Sequence, residues 1–237
     1  MSKPFTFKQF TIHQDKCAMK IGTDGVLLGA WAAITSNPNA ILDIGSGTGV
    51  VALQLAQRSM AETIDAIELD AGAYEQCVEN FEASPWGDRL FCYHASFHEF
   101  YNEMDDTYDL IVSNPPFYAE DVSSGNKSRD LARQNLALPL EDLIKGVDKL
   151  LTPRGTFATI LPFSEETNFI QLAKKHKLNP YTITRVRGNP ASPTKRSLMQ
   201  FGRLQHPTTI DELVIETDRH QHTEDYIELT KDFYLKM

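Results

Sequence analysis

Two hydrophobic periods take turns along the chain. Short, almost wholly apolar runs such as Ala40-Ile41-Leu42-Asp43-Ile44 and Leu110-Ile111-Val112 give way to stretches like Val50-Val51-Ala52-Leu53-Gln54-Leu55-Ala56, where apolar residues fall at helical spacing. The first kind suits strands buried on both faces, and the second suits helices packed over them. After a hairpin-like amino-terminal stretch, a helix is expected from Thr23 or Asp24, either of which can cap it, to about Ala33. Strands are expected over 40–44, 63–68, 90–94, 108–113 and 155–161, with helices over 49–58, 71–83, 139–151 and 165–177 and a short turn or helix near 97–101. Two further strands, 181–187 and 197–203, have no helix between them, since Gly188, Pro190 and Pro193 break the chain there, so they should form an antiparallel hairpin. Strand and helix in alternation predict an α/β fold, a mostly parallel sheet covered by helices on both faces. No internal repeat and no low-complexity tract interrupts it.

Chemistry is suggested at the ends of these strands. Asn114-Pro115-Pro116-Phe117 follows directly on the run Tyr108 to Ser113. Two prolines end a strand, because neither nitrogen can donate to the ladder, so Asn114 is held at a carboxyl end, where open α/β sheets bind ligands. Its amide offers one acceptor and two donors, and Phe117 adds a flat apolar face; together they suit a planar group bearing an NH2. An ordinary turn after a strand carries the same Asn-Pro signal. Upstream, Asp43-Ile44-Gly45-Ser46-Gly47-Thr48-Gly49 joins a strand to a helix through a turn whose glycines let backbone approach a ligand closely. The dinucleotide fingerprint needs a glycine where Val50 stands, and Asp43 would repel a pyrophosphate, so a ligand with a positive centre fits better. Glu68 ends the next strand, at the separation where such folds hold a ribose; a surface charge at a strand end is the alternative.

These residues resemble the S-adenosylmethionine-dependent N-methyltransferases that carry an NPP(F/Y) motif. Phe5 to Phe10, the block Cys17 to Trp31 and the tail Phe233-Tyr234-Leu235 are similar to the bacterial family that methylates N6 of adenine 37, next to the anticodon of a valine tRNA. Some of its members have tyrosine where Phe117 stands, a change that removes a hydroxyl and keeps the ring. The resemblance implies a Rossmann-like class I fold, a seven-stranded mostly parallel sheet with an antiparallel edge hairpin, in one domain over 1–237 whose residues 1–35 form an extension on the substrate side. It also implies roles. Asn114 and Pro115 would accept the hydrogens of the target amine, with Pro116 and Phe117 completing the catalytic motif. Gly45, Gly47 and Gly49 would line the methionine end of S-adenosylmethionine, Asp43 would face its ammonium and Glu68 its ribose. Ser96 and Phe97 would form the adenine corner, and Gly22, Thr23, Asp24 and Gly25 would close over the methionine end. Ser96 as a plain helix cap is equally economical. The NPP(F/Y) residues do not separate adenine N6 from a protein glutamine amide or a guanine N2 in ribosomal RNA, and a nucleotide-binding module without catalysis is a third reading.

Composition and charge narrow the field. The 237-residue chain is 41% apolar, ample for a large core. Cys17, Cys77 and Cys92 share no Cys-x-x-Cys spacing, so neither a disulfide framework nor a thiolate metal site is indicated, and His220-x-His222 has no third ligand beside it. With no apolar stretch of signal-peptide or membrane-spanning length, a cytosolic protein without a metal or membrane partner is expected. A net charge of −9 is the wrong sign for bulk attraction to nucleic acid. Its distribution matters more: Lys174 to Arg203 holds eight bases and no acid, a candidate polyanion-orienting surface, though solvated helix and strand faces would read the same way. Arg187, Lys195, Arg196 and Arg203 within it, and Lys127, Arg129 and Arg133 in the loop after Phe117, are the candidate RNA contacts.

Overall fold

The computed structural model describes residues 3–116 and 138–237. Its strands are β1 (Phe5–Thr6), β2 (Thr11–Ile12), β3 (Ala40–Ile44), β4 (Thr63–Glu68), β5 (Leu90–His94), β6 (Tyr108–Ser113), β7 (Leu151–Pro162), β8 (Asn179–Arg187), β9 (Thr194–Gly202), β10 (Thr209–Val214), β11 (Glu216–Asp218) and β12 (Gln221–His222). The helices, numbered in order, are α1 (Thr23–Trp31), α2 (Val50–Arg58), α3 (Ala71–Glu82), α4 (Phe97–Glu103), α5 (Leu140–Leu150), α6 (Glu166–Lys175) and α7 (Glu224–Thr230), and a 3-10 turn, Phe163–Glu165, leads into α6.

One sheet organises the molecule, in the order β10-β8-β9-β7-β6-β3-β4-β5. Only β9 runs against its neighbours β7 and β8; the other adjacent pairs are parallel. The sheet therefore has eight strands where seven were expected. The extra one is β10, parallel to β8 at the edge, with Leu213 as its buried residue; its first four residues are exposed and only Ile210 among them is apolar, so the segment shows no strand-length apolar run.

Two apolar clusters cover the two faces. Val26, Leu28, Val51, Leu55, Phe81 and Tyr226 of α1, α2, α3 and α7 pack on one face over Ile41, Ile64 and Val112. On the other, Phe97, Phe100, Leu143, Val147 and Phe169 of α4, α5 and α6 cover Leu42, Ile111, Phe157 and Met199. Burying a side chain of this size contributes roughly 1.5–3 kcal/mol, so both layers are needed to hold the strands in register. Helix starts use local chemistry: Asp70 accepts from the Ala73 N–H at 2.9 Å, and Ser96 with Glu99 forms a reciprocal cap on α4. At α1 the cap position is Gly22, with no side-chain hydrogen bond, so neither Thr23 nor Asp24 caps it.

The order of strands positions the site. The chain lays down β3, β4 and β5 outward in one direction, then returns to place β6 on the opposite side of β3. Crossovers leave the two loops at this reversal splayed to opposite sides, which opens a crevice at the carboxyl ends of β3 and β6. The loops that flank it are Gly45 to Gly49 and Asn114 to Pro116.

Candidate active site

The glycine turn is built by backbone needs. Gly45, Gly47 and Gly49 adopt φ of 72°, 55° and 79°, in the left-handed region where a Cβ is costly. They differ in what lies beyond them. A Cβ at Gly49 would stand 2.5 Å from the Phe81 ring and 3.0 Å from Cys77 Sγ, so that glycine exists for packing. At Gly45 and Gly47 a Cβ would meet nothing within 4 Å. Their bare faces border a cavity of about 310 Å³, lined also by Ile44, Glu68, Ser96, Phe97, Asn114 and Pro115.

Hydrogen bonds tie the parts of this cavity together. Glu68 accepts from Gly47 N–H through Oε2 and from Asp70 N–H through Oε1, each at 2.8 Å, so its carboxylate is fixed and retains lone pairs for a ligand. Ser113 Oγ donates to the Ile44 carbonyl at 3.0 Å, locking the strand end that carries Asn114 against the strand end that carries the glycine turn. On the far side of Asn114 lies the first turn of α1, where a Cβ on Gly25 would come within 3.8 Å of Asn114 Nδ2. Asp24 in that turn accepts from Arg196 Nε at 2.8 Å, which joins α1 to β9.

Among the described residues the lining includes the carboxylates of Glu68, Asp70 and Asp142 and no lysine or arginine. Such a cavity favours a cationic ligand and disfavours a phosphate. Cys17 lines it as a neutral wall, since burial and then the charge of Glu68 push its thiol up to about 11. Asp43 sits behind it. The side chain is 1% exposed, Oδ2 accepts from Ala52 N–H at 3.2 Å, and burial pushes the carboxyl up to about 7 against the pull of that hydrogen bond, with Glu68 adding to the rise.

The structure thus brings Gly45, Gly47, Glu68, Ser96, Phe97, Asn114, Pro115 and Pro116 to one cavity. Asp43 and Gly49 stand behind its wall, and Gly22, Thr23 and Asp24 flank the Asn114 side. Phe117, Lys127, Arg129 and Arg133 lie outside the described residues. Cys17, Met19, Leu69, Asp70, Leu138 and Asp142 line the cavity without having been singled out for it; Leu69 and Asp70 follow Glu68 directly, and Cys17 and Met19 fall in the block Cys17 to Trp31, which are the signals that could have found them.

The basic segment does not form a single surface. Arg187, Lys195 and Arg196 lie at the carboxyl edge, where Arg196 pairs with Pro162 across the ladder. Arg203 follows the other end of β9, at the amino edge, and donates to Asp148 Oδ1 and to the Asp148 and Leu151 carbonyls. It joins α5 to the sheet, which corrects its assignment beside the other three. Lys174 and Lys175 end α6, which descends to that same amino edge. Salt bridges to Glu166, Glu212, Asp24 and Asp148 compensate Arg185, Arg187, Arg196 and Arg203 respectively.

Residues 23–159 match the family described as methyltransferase small domain. Among solved structures, a predicted O-methyltransferase from Agrobacterium tumefaciens shares the fold, with a TM-score of 0.69 over 89% of this chain and 96% of its own at 18% identity. A switch-point cavity between a glycine turn and an Asn-Pro-Pro strand end, on this sheet, defines a Rossmann-like methyltransferase. Proteins named tRNA1(Val) (adenine(37)-N6)-methyltransferase from Flavobacterium johnsoniae and Christiangramia forsetii are 60% and 58% identical to the chain, spanning 98% and 100% of it and 100% and 99% of their own lengths. One from Pectobacterium carotovorum is 42% identical over 98% of this chain and 94% of its own. The chain belongs to the tRNA1(Val) (adenine(37)-N6)-methyltransferase family.

Proposed function

We propose that this chain, acting as one methyltransferase domain, transfers a methyl group from S-adenosylmethionine to N6 of adenine 37 in valine tRNA. The observation that carries the reading is a single cavity bounded on one side by Gly45, Gly47 and Glu68 and on the other by Asn114-Pro115-Pro116. Its chemistry fits the cofactor. Open space beside two bare glycines admits the methionine portion, the Glu68 carboxylate suits ribose hydroxyls, Ser96 and Phe97 suit the adenine, and acidic walls suit a sulfonium and an ammonium. Bound there, the cofactor supplies an electrophilic methyl group.

An exocyclic amine is a poor nucleophile, because its lone pair is delocalised into the ring. Asn114 Oδ1 and the Pro115 carbonyl each accept one N6 hydrogen, which favours a pyramidal nitrogen with its lone pair free. Both acceptors bind the nitrogen more strongly as positive charge builds on it, so they lower the barrier rather than only holding substrate. The new ammonium is acidic enough to shed its proton to water, and no strong base is required. Phe117, next in sequence, is assigned the stacking role, which holds the reacting atoms in line. An anticodon loop presents its base already unpaired, which removes most of the cost of extracting it.

Lys127, Arg129, Arg133, Arg187, Lys195 and Arg196 are proposed phosphate contacts, and the cytosol is the compartment that the substrate implies. Among the described residues no helix is long and apolar enough to cross a membrane. The test is a transfer assay with labelled S-adenosylmethionine against separate pools of tRNA, ribosomal RNA and a release factor. Label in valine tRNA at N6 is expected. Label confined to the release factor or to ribosomal RNA would replace this reading with the glutamine-amide or guanine alternative.

A further inference from the structure

A short turn beyond β7 carries a ring that the site described above does not use. β7 neighbours β6, and its Thr159 pairs with Ser113, the residue before Asn114. The strand runs on to Pro162, so the next residue, Phe163, stands roughly 10–13 Å beyond that row on the same edge of the sheet. Phe163 is 40% exposed, and Ser164 beside it is exposed and polar. A single ring in polar surroundings is not the apolar patch that a protein partner needs.

What lies against the ring is fixed. The Arg185 guanidinium sits over it at 5.4 Å from the centroid, and Arg185 reaches the buried Glu166 carboxylate through NH2 at 2.8 Å and Nε at 3.2 Å. Ser197 Oγ donates to the same carboxylate at 2.5 Å. Burial opposes ionisation of Glu166, but the hydrogen bonds from Arg185 and Ser197 prevail and hold its carboxyl below the usual range. The arginine therefore has its charge compensated and its plane set. It is poorly disposed to hold a phosphate, yet it presses a polarised cation against an exposed aromatic face.

We propose that Phe163, backed by the Glu166-anchored Arg185, is a stacking platform for an unpaired nucleobase of the same RNA strand, a few nucleotides from the base that enters the Asn114 site. Every base has a π face, and stacking on a protein aromatic with an arginine behind it is how single strands are held without base-specific hydrogen bonds. The inference rests on an RNA substrate, and it makes the loop's neighbouring bases part of what the enzyme recognises. Arg185 and Glu166 are positioning residues here; Phe163 makes the contact.

The test compares Phe163→Ala, Phe163→Leu and Phe163→Trp with wild type, measuring affinity for a valine tRNA anticodon stem-loop across a salt series, alongside cofactor affinity and unfolding midpoint. Alanine and leucine are expected to weaken RNA binding roughly five- to hundredfold, while tryptophan retains it. The log–log salt slope should stay unchanged in all three, because every phosphate keeps its partner. One abasic position in the loop should weaken wild-type binding and have little further effect on Phe163→Ala, as two partners of one stack require. Leucine binding as tightly as phenylalanine, or abasic effects that all add to the alanine effect, would overturn the platform; the leucine and tryptophan pair answers this even if the alanine variant folds poorly. Wild-type methylation of the same tRNA separates the two failures: without it the tRNA reading itself falls, and with it only the platform does.

Discussion

Asn114 and Asp43 show how differently two polar side chains at neighbouring strand ends act. Asn114 lines the cavity opposite Gly45, Gly47 and Glu68, so on the proposed mechanism Asn114→Ala removes an oriented acceptor from the amine and leaves the groups assigned to the cofactor in place. Loss of one such group costs roughly 3 kcal/mol in the transition state, so turnover should fall about a hundredfold or more while calorimetric cofactor affinity stays near wild type. Turnover close to wild type would remove Asn114 from the chemistry. Asp43 is buried, and its carboxyl is pushed up to about 7 from the ordinary value near 4. A raised carboxyl favours the folded state fully below about pH 4, where both states are protonated, and that contribution is lost as pH rises through 7. Asp43→Asn stays neutral throughout and keeps an acceptor for the Ala52 N–H. Relative to this variant, the protein without cofactor should lose on the order of a few kcal/mol between pH 4 and pH 8, measured by denaturant unfolding at each pH. A constant difference would mean that Asp43 ionises normally.

At the scale of elements, the glycine turn makes a contrast that separates structure from binding. Gly49→Ala should cost roughly 2–4 kcal/mol of stability, because left-handed backbone strain adds to a collision with Phe81 and Cys77. Gly47→Ala meets open space and should cost only about 1–2 kcal/mol, but its methyl intrudes on the cavity edge, so calorimetric cofactor affinity should drop. Equal stability losses in the two variants would dissolve that distinction. The sequence could not supply it: all three glycines read alike in Gly45-Ser46-Gly47-Thr48-Gly49, and only the position of Phe81, far along the chain, sets Gly49 apart. The alternating layers were legible for a simple reason. Strands such as Ile41 to Ile44 and Leu110 to Val112 are buried on both faces and so are apolar at nearly every position, which makes their ends, and therefore Asn114 and Glu68, easy to place. β10 was not legible, since an edge strand with one buried residue carries no periodicity. β7 begins at Leu151, four residues before the expected start at 155, and takes in Pro153, which cannot donate to a ladder and so hides the strand's start in the sequence.

Over the whole molecule, charge is where reading along the chain and reading through space diverge most. Eight bases without an acid between Lys174 and Arg203 look like one cationic surface, but β9 and α6 carry them to opposite edges of the sheet. Acids from elsewhere in the chain then compensate four arginines, including Asp24 on Arg196. What remains toward the site is local: Lys195, with Arg187 and Arg196 whose exposed pairs contribute little to stability and can exchange a carboxylate for a phosphate. This gives a spatial prediction. Lys195→Gln with Arg196→Gln should weaken binding to valine tRNA and flatten its log–log salt slope by roughly 0.7–0.9 for each phosphate left without its cation, with cofactor affinity unchanged. Lys174→Gln with Lys175→Gln and Lys177→Gln removes more charge from the same stretch of sequence but from the amino edge, and should leave the slope where it was. Net charge alone would make the triple variant the weaker binder. If it is, or if the carboxyl-edge pair leaves the slope untouched, the RNA does not approach along the edge that holds Asn114, and the phosphate-binding roles assigned to Lys195 and Arg196 fall.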